Sequence, residues 1–73
     1  MKMKISVNGK GTEVIENATL SDLIKLQFNL VSAEEAEGVA VALNGTVISK
    51  HDWISTYIKN DDAVEIVHAV QGG

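Results

Sequence analysis

Cysteine and proline are both absent from this 73-residue chain. Without cysteine there is no disulfide and no zinc–thiolate site. There is also no thiol on which the chain could carry an acyl group or sulfur. Without proline there is no X-Pro switch and no rigid linker. Aromatics are scarce, with one Trp, one Tyr and one Phe. Basic side chains are outnumbered 6 to 10, for a net charge of −4. That balance argues against nucleic acid, which requires a concentrated basic face to displace counterions. It suits a small protein that docks on a basic partner surface. No segment approaches the roughly 20 apolar residues of a membrane span. Met1-Lys2-Met3-Lys4-Ile5-Ser6-Val7 is basic but lacks the apolar run of an export signal. The expectation is a cytoplasmic protein with no membrane role.

Apolar material is present in quantity. Hydrophobic residues make up 45% of the chain, enough for one small core and a stability of about 3–5 kcal/mol. Residues 1–73 are therefore expected to form one domain, near the lower size limit for folding without staples.

The apolar pattern gives the element order. Met3, Ile5 and Val7 alternate with Lys2, Lys4 and Ser6, the period of a half-buried strand. Asn8-Gly9 is a hairpin-turn signal, and a return strand follows over about 11–15. Thr19 is placed to cap a helix, with Asp22 as its capping-box partner. Leu20, Leu23, Ile24 and Phe28 recur at helical spacing, so a helix is predicted over 20–27, stopping at Asn29. The acidic stretch Ser32 to Gly38 reads as a solvated loop or a short helical turn. Val39-Ala40-Val41-Ala42-Leu43 is a compact apolar strand. Asn44-Gly45 makes a second hairpin turn, and Thr46-Val47-Ile48 returns. Ser49 can cap a short turn with Asp52 three residues on, and Trp53, Ile54, Tyr57 and Ile58 follow. Asn60-Asp61-Asp62 is a turn cluster, leading to a last strand over about 64–70. The order is β-β-α-β-β-β. One helix cannot cover both faces of a sheet, so it should pack across one. The simplest such arrangement is an α+β, β-grasp fold.

Catalytic material is sparse. His51-Asp52 has no accompanying cluster of metal ligands or acid–base groups and reads as an exposed turn. His68 is expected partly exposed near the chain's end. Gly9, Gly11 and Gly45 belong to hairpins and do not sit between a strand and a helix start, so they form no phosphate loop. Trp53 and Tyr57, four apart, read as a satellite core. The functional signal lies in Gly72-Gly73, directly after a strand. Two glycines make a thin tail that can enter a narrow cleft and adopt backbone angles closed to other residues. A flexible tail is expected over 71–73. The carboxylate of Gly73, ionised at neutral pH, is then the working group. An ionised carboxylate resists nucleophiles and needs activation, for which adenylation is the obvious biological route. Nothing in the chain is suited to binding ATP, so no cofactor is expected here and a separate enzyme would supply that site.

The last strand suggests a docking face. With Val64 and Ile66 facing the core, Glu65, Val67 and Ala69 face away. Ala40 and Ala42 similarly oppose Val39, Val41 and Leu43. Small apolar residues on an uncovered sheet face suit partner contact.

Three stretches carry a family resemblance: Val39-Ala40-Val41-Ala42-Leu43-Asn44-Gly45; Val47-Ile48 through Trp53; and Val64-Glu65-Ile66-Val67-His68-Ala69-Val70-Gln71-Gly72-Gly73. Over nearly its whole length the chain resembles the ThiS-type sulfur carriers of thiamine biosynthesis, in the ubiquitin-like β-grasp superfamily. Two departures stand out. Asp61-Asp62 occupies a place where Gly-Asp is common in the family, and Asp tolerates left-handed backbone better than most residues. Ser49 stands where proline is common. The resemblance implies a mixed sheet of about five strands with the first and last side by side and parallel. It implies that an E1-like, ThiF-like adenylyltransferase uses ATP to form an acyl-adenylate at Gly73. Sulfur from a persulfide, supplied through a cysteine desulfurase, would then replace AMP, and the Gly73 thiocarboxylate would serve a ThiG-like thiazole synthase. Val70, Gln71 and Gly72 would form the partner-binding tail, and Ala40, Ala42, Val67 and Ala69 the docking surface. Two alternatives share the terminal glycines: a molybdopterin-synthase small-subunit-like carrier and a ubiquitin-like protein modifier. A plain interaction domain with a dispensable tail is a further one.

Overall fold

A computed structural model describes residues 1–68. The expected tail, with Ala69, Val70, Gln71, Gly72 and Gly73, lies outside the described residues. Five strands form one sheet: β1 (Lys2–Val7), β2 (Lys10–Ile15), β3 (Val39–Leu43), β4 (Thr46–Ile48) and β5 (Ala63–His68). Their spatial order is β2-β1-β5-β3-β4. β1 and β5 pair in parallel and the other neighbours pair antiparallel. This is the β-grasp arrangement the element order implies.

Both hairpins turn on Asn-Gly. Asn8 and Gly9 have φ of 51° and 82°, and Asn44 and Gly45 have 50° and 87°. Positive φ at both central positions is the type I′ requirement, and its twist matches that of the flanking strands. Asp61 also adopts φ of 70°, so aspartate holds the left-handed position at the departure from Gly-Asp.

The one α-helix, α1, runs Leu20–Phe28. Its start is a reciprocal capping box. The Asp22 N–H donates to the Thr19 hydroxyl at 3.2 Å, and the Thr19 N–H donates to the Asp22 carboxylate at 3.0 Å. Asn29, at φ 54°, ends it, and the Leu30 N–H reaches back to the Lys25 carbonyl at 2.8 Å. Leu20, Leu23 and Ile24 are buried against Ile5, Val7, Val14, Val41 and Val64 from the sheet. The buried apolar residues of β1, β2, β3 and β5 therefore share one face of the sheet, under α1.

The connections bear out one expectation, a short helical turn within Ser32 to Gly38, and differ from expectation in two places. Ser32 to Gly38 contains a single 3-10 turn, Ala33–Glu35, closed by a second capping box between Ser32 and Glu35. The Lys50 amine donates to the carbonyls of Glu34 at 2.9 Å and Ala36 at 3.3 Å, tying that turn to the next. The second 3-10 segment spans Lys50–Ser55, and there Ser49 does not cap with its side chain. Its hydroxyl instead donates to the Asp52 carboxylate at 3.1 Å. Trp53 and Tyr57 do not form a satellite pair. Trp53 is 1% exposed at the centre of the main core, with its indole N–H on the Ile48 carbonyl, whereas Tyr57 is 58% exposed. A spacing of four puts two residues on one helix face only with an α-helical period. The segment is 3-10, with about three residues per turn, and it ends before Tyr57, which joins Thr19 in an isolated bridge.

Leu23 is fully enclosed, so Leu23→Ala should lower stability by about 2–5 kcal/mol, read by chemical denaturation. The Asp22 carboxyl is held below its ordinary value, chiefly because it accepts the Thr19 N–H. A depressed folded-state pKa adds stability above the unfolded-state value, and that stability disappears as pH falls through the folded value. Asp22→Asn should therefore flatten the acid limb of a plot of stability against pH and leave the alkaline limb unchanged.

Candidate functional site

The sheet face away from α1 is where the candidate docking residues meet. Successive residues of a strand point to opposite faces. β3 puts Val39, Val41 and Leu43 under the helix and leaves Ala40 and Ala42 outside. On β5, Val64 and Ile66 point inward while Glu65 and Val67 point outward. Register brings these together: Ala40 lies directly opposite Val67, and Ala42 opposite Glu65. On its other side Ala42 faces Val47, which is 74% exposed. Val67 is 62% exposed. The outer face of β5, β3 and β4 thus carries Val67, Ala40, Ala42 and Val47 side by side, with no large side chain on β3 to screen the two valines.

Val47 belongs to this surface, although its strand alone did not single it out. The alternation in Thr46-Val47-Ile48, combined with the hairpin register set by Asn44-Gly45, would have revealed it. Ala69 and the tail residues Val70, Gln71, Gly72 and Gly73 lie outside the described residues.

β5 is the strand that leads to the tail, and both hairpin turns grip it with side chains. The Asn44 carboxamide accepts from the Ala63 N–H at 2.9 Å and donates to the Asp62 carboxylate at 3.0 Å. The Asn8 carboxamide accepts from the Ile66 N–H at 2.8 Å and donates to the Ile66 carbonyl at 3.2 Å. On the helix side, the ring of His68 meets that of Phe28 edge-on, with centroids 5.4 Å apart. Sequence reasoning assigned both asparagines to turn geometry alone. Their reach to β5 has no local sequence signal, because Asn8 and Ile66 are 58 positions apart.

The remaining polar groups do not converge on a reaction centre. His51 and Asp52 are exposed on the second 3-10 turn. Among the described residues, no group of three or more His, Cys, Asp or Glu side chains is placed to hold a metal. A groove of about 550 Å³ between α1 and the two 3-10 turns is lined in part by Lys25, Val31, Lys50 and Ile54. Its Lys50 amine already serves main-chain carbonyls.

A model of the ThiS family matches residues 5–73. The chain belongs to the ThiS family. It is similar to the thiamine biosynthesis protein ThiS of Geobacter metallireducens. Against that protein's crystal structure the TM-score is 0.75 at 33% identity, covering 97% of this chain and 100% of the other. Against its solution NMR structure the TM-score is 0.73 at 33% identity, covering 97% and 88%. It is also 33% identical over 72 residues to the uncharacterized protein ycf40 of Porphyra purpurea, covering 97% of this chain and 93% of the relative. The chain is thus a ThiS-type, ubiquitin-like sulfur carrier, and the family read from its strands and terminal glycines is the family it matches. Among the described residues, no helix is long and apolar enough to cross a membrane.

Proposed function

We propose that this chain carries sulfur for thiamine biosynthesis as a thiocarboxylate on Gly73. The Gly73 carboxylate attacks the α-phosphorus of ATP in the site of a ThiF-like adenylyltransferase, releasing pyrophosphate and forming an acyl-adenylate. A persulfide sulfur, originating from a cysteine desulfurase, then attacks the acyl carbon and AMP leaves, giving an acyl disulfide. A partner thiol attacks the far sulfur of that S–S bond, so the partner is oxidised to a disulfide and the carrier is released with sulfur on its acyl carbon. The resulting thiocarboxylate delivers sulfur to a ThiG-like thiazole synthase. In this reading the chain is a cosubstrate and not an enzyme. The partner binds ATP and stabilises the transition states.

The observation that carries the reading is the ThiS family match extending through Gly73. The chain's chemistry is consistent with it. There is no cysteine to hold sulfur elsewhere. Gly72 and Gly73 remove side-chain bulk around the reacting carbonyl. Val70 and Gln71 supply backbone groups for strand-like pairing with a partner. The outer sheet face with Ala40, Ala42 and Val67, continued by Ala69 in sequence, serves as the docking surface. The match to ThiS favours thiazole synthase over the large molybdopterin-synthase subunit as the recipient.

Incubation with the cognate adenylyltransferase, ATP and a sulfur source should raise the intact mass by the difference between sulfur and oxygen. An unchanged mass with a demonstrably active partner removes the proposal. Val67→Asp should change stability by no more than about 0.5 kcal/mol, because the side chain is exposed. It should weaken adenylyltransferase binding, measured by titration calorimetry, by placing an unpaired charge in an apolar contact.

A further inference from the structure

We propose that Asn8 is a positioning residue for the carrier reaction, acting by completing the pairing of β5 beyond the point where β1 ends. The inference rests on the carrier reading above. The parallel β1–β5 ladder is short: it pairs Ser6 with Ala63 and Val7 with Val64. The Asn8 N–H extends it by one bond, to the Val64 carbonyl at 2.9 Å. At that point the chain turns away, because Asn8 adopts φ of 51° to enter the hairpin. A parallel neighbour would next have offered a carbonyl and an N–H to Ile66. The Asn8 side chain offers both. Its carboxamide oxygen accepts the Ile66 N–H at 2.8 Å, and its amide nitrogen donates to the Ile66 carbonyl at 3.2 Å. A carboxamide is the side-chain group that reproduces a peptide unit, one donor and one acceptor in a plane.

On its other edge β5 is held by β3 as far as the pair of Val39 with His68. With Asn8 in place, Ile66 has neighbours on both edges and the strand keeps its direction to His68, from which the chain continues to Gly73. Without the carboxamide, this edge of β5 would be unpaired from Ile66 onward. An unpaired edge opens more readily, and opening lowers the fraction of molecules that present the end of β5 in the direction a partner recognises. A loss of the binding-competent fraction raises apparent KM and leaves the bound complex unchanged.

The test compares Asn8→Gly with Asn17→Gly. Glycine retains the turn at position 8, since Gly-Gly suits a type I′ turn, but removes the carboxamide. Asn17 is also exposed and left-handed, at φ 71°, and lies in the β2–α1 connection away from β5. It therefore controls for the general cost of an Asn-to-Gly change. Amide exchange at Ile66, followed by NMR in the full chain, should accelerate by about five- to thirtyfold in N8G, the effect of losing one or two hydrogen bonds. It should not accelerate in N17G. In carrier-dependent ATP–pyrophosphate exchange by the adenylyltransferase, N8G should raise KM several-fold with kcat held, and N17G should match the native chain. Equal KM values for N8G and N17G, with the native chain charged normally, overturn the inference. Failure of the native chain to support exchange instead overturns the carrier reading, and this inference with it. Should N8G not fold, Asn8→Asp replaces it. That carboxylate retains the acceptor for the Ile66 N–H but sets an acceptor against the Ile66 carbonyl, so KM should still rise, and an unchanged KM overturns the inference.

Discussion

The parallel pairing of β1 with β5 is the constraint on which the rest of the molecule depends. It joins the two ends of the described chain in the middle of the sheet. Every other element must then be routed around it, with one hairpin on either flank and a single helix across one face. The pairing itself is short, two residue pairs and a bond from Asn8. It persists because Val7 and Val64 are buried together beneath Leu20, Leu23 and Ile24. Burial of these side chains contributes more than the ladder hydrogen bonds, whose net contribution is about 0.5–1.5 kcal/mol each.

One helix over one sheet leaves the other face without cover, and this asymmetry links fold to function. The inner face uses branched apolar side chains, Val41, Val64 and Ile5, and is buried. The outer face of β3 and β5 carries Ala40, Ala42, Glu65 and Val67, and the two alanines fill little space. Alanines on β3 contribute little to stability there, since they bury no side chain against the core. Their value is in what can lie against them. The same strand, β5, supplies the inward Val64 and the outward Val67, and in the proposed function it also precedes the Gly73 carboxylate in sequence.

Much of this was legible residue by residue. Alternation in β1 and β3, the two Asn-Gly turns, and the Thr19/Asp22 capping box are local signals, and each formed as read. The departures arose where a local pattern has two physical outcomes. Trp53 and Tyr57 share one helix face only if the helix is α. Here the segment is 3-10 and ends before Tyr57, so Trp53 is buried with its indole on the Ile48 carbonyl and Tyr57 is exposed. Ser49 has the spacing of a cap, yet its hydroxyl finds the Asp52 carboxylate instead. Ser32 and Glu35 form a capping box in the stretch read as a solvated loop or a short helical turn, and the short turn is what forms.

From the order of residues alone came the element sequence, the turn chemistry, the lack of any thiol, the glycine ending and the family. All of these depend on neighbours along the chain or on composition. Three-dimensional packing settled which residues share a face and which side chains reach across the sheet: Val47 beside Ala42, Trp53 at the centre of the core, and the Asn8 carboxamide on Ile66. Those outcomes depend on register between segments far apart in the chain. Hydrophobic burial selects that register for the whole molecule at once, and no short stretch of sequence encodes it.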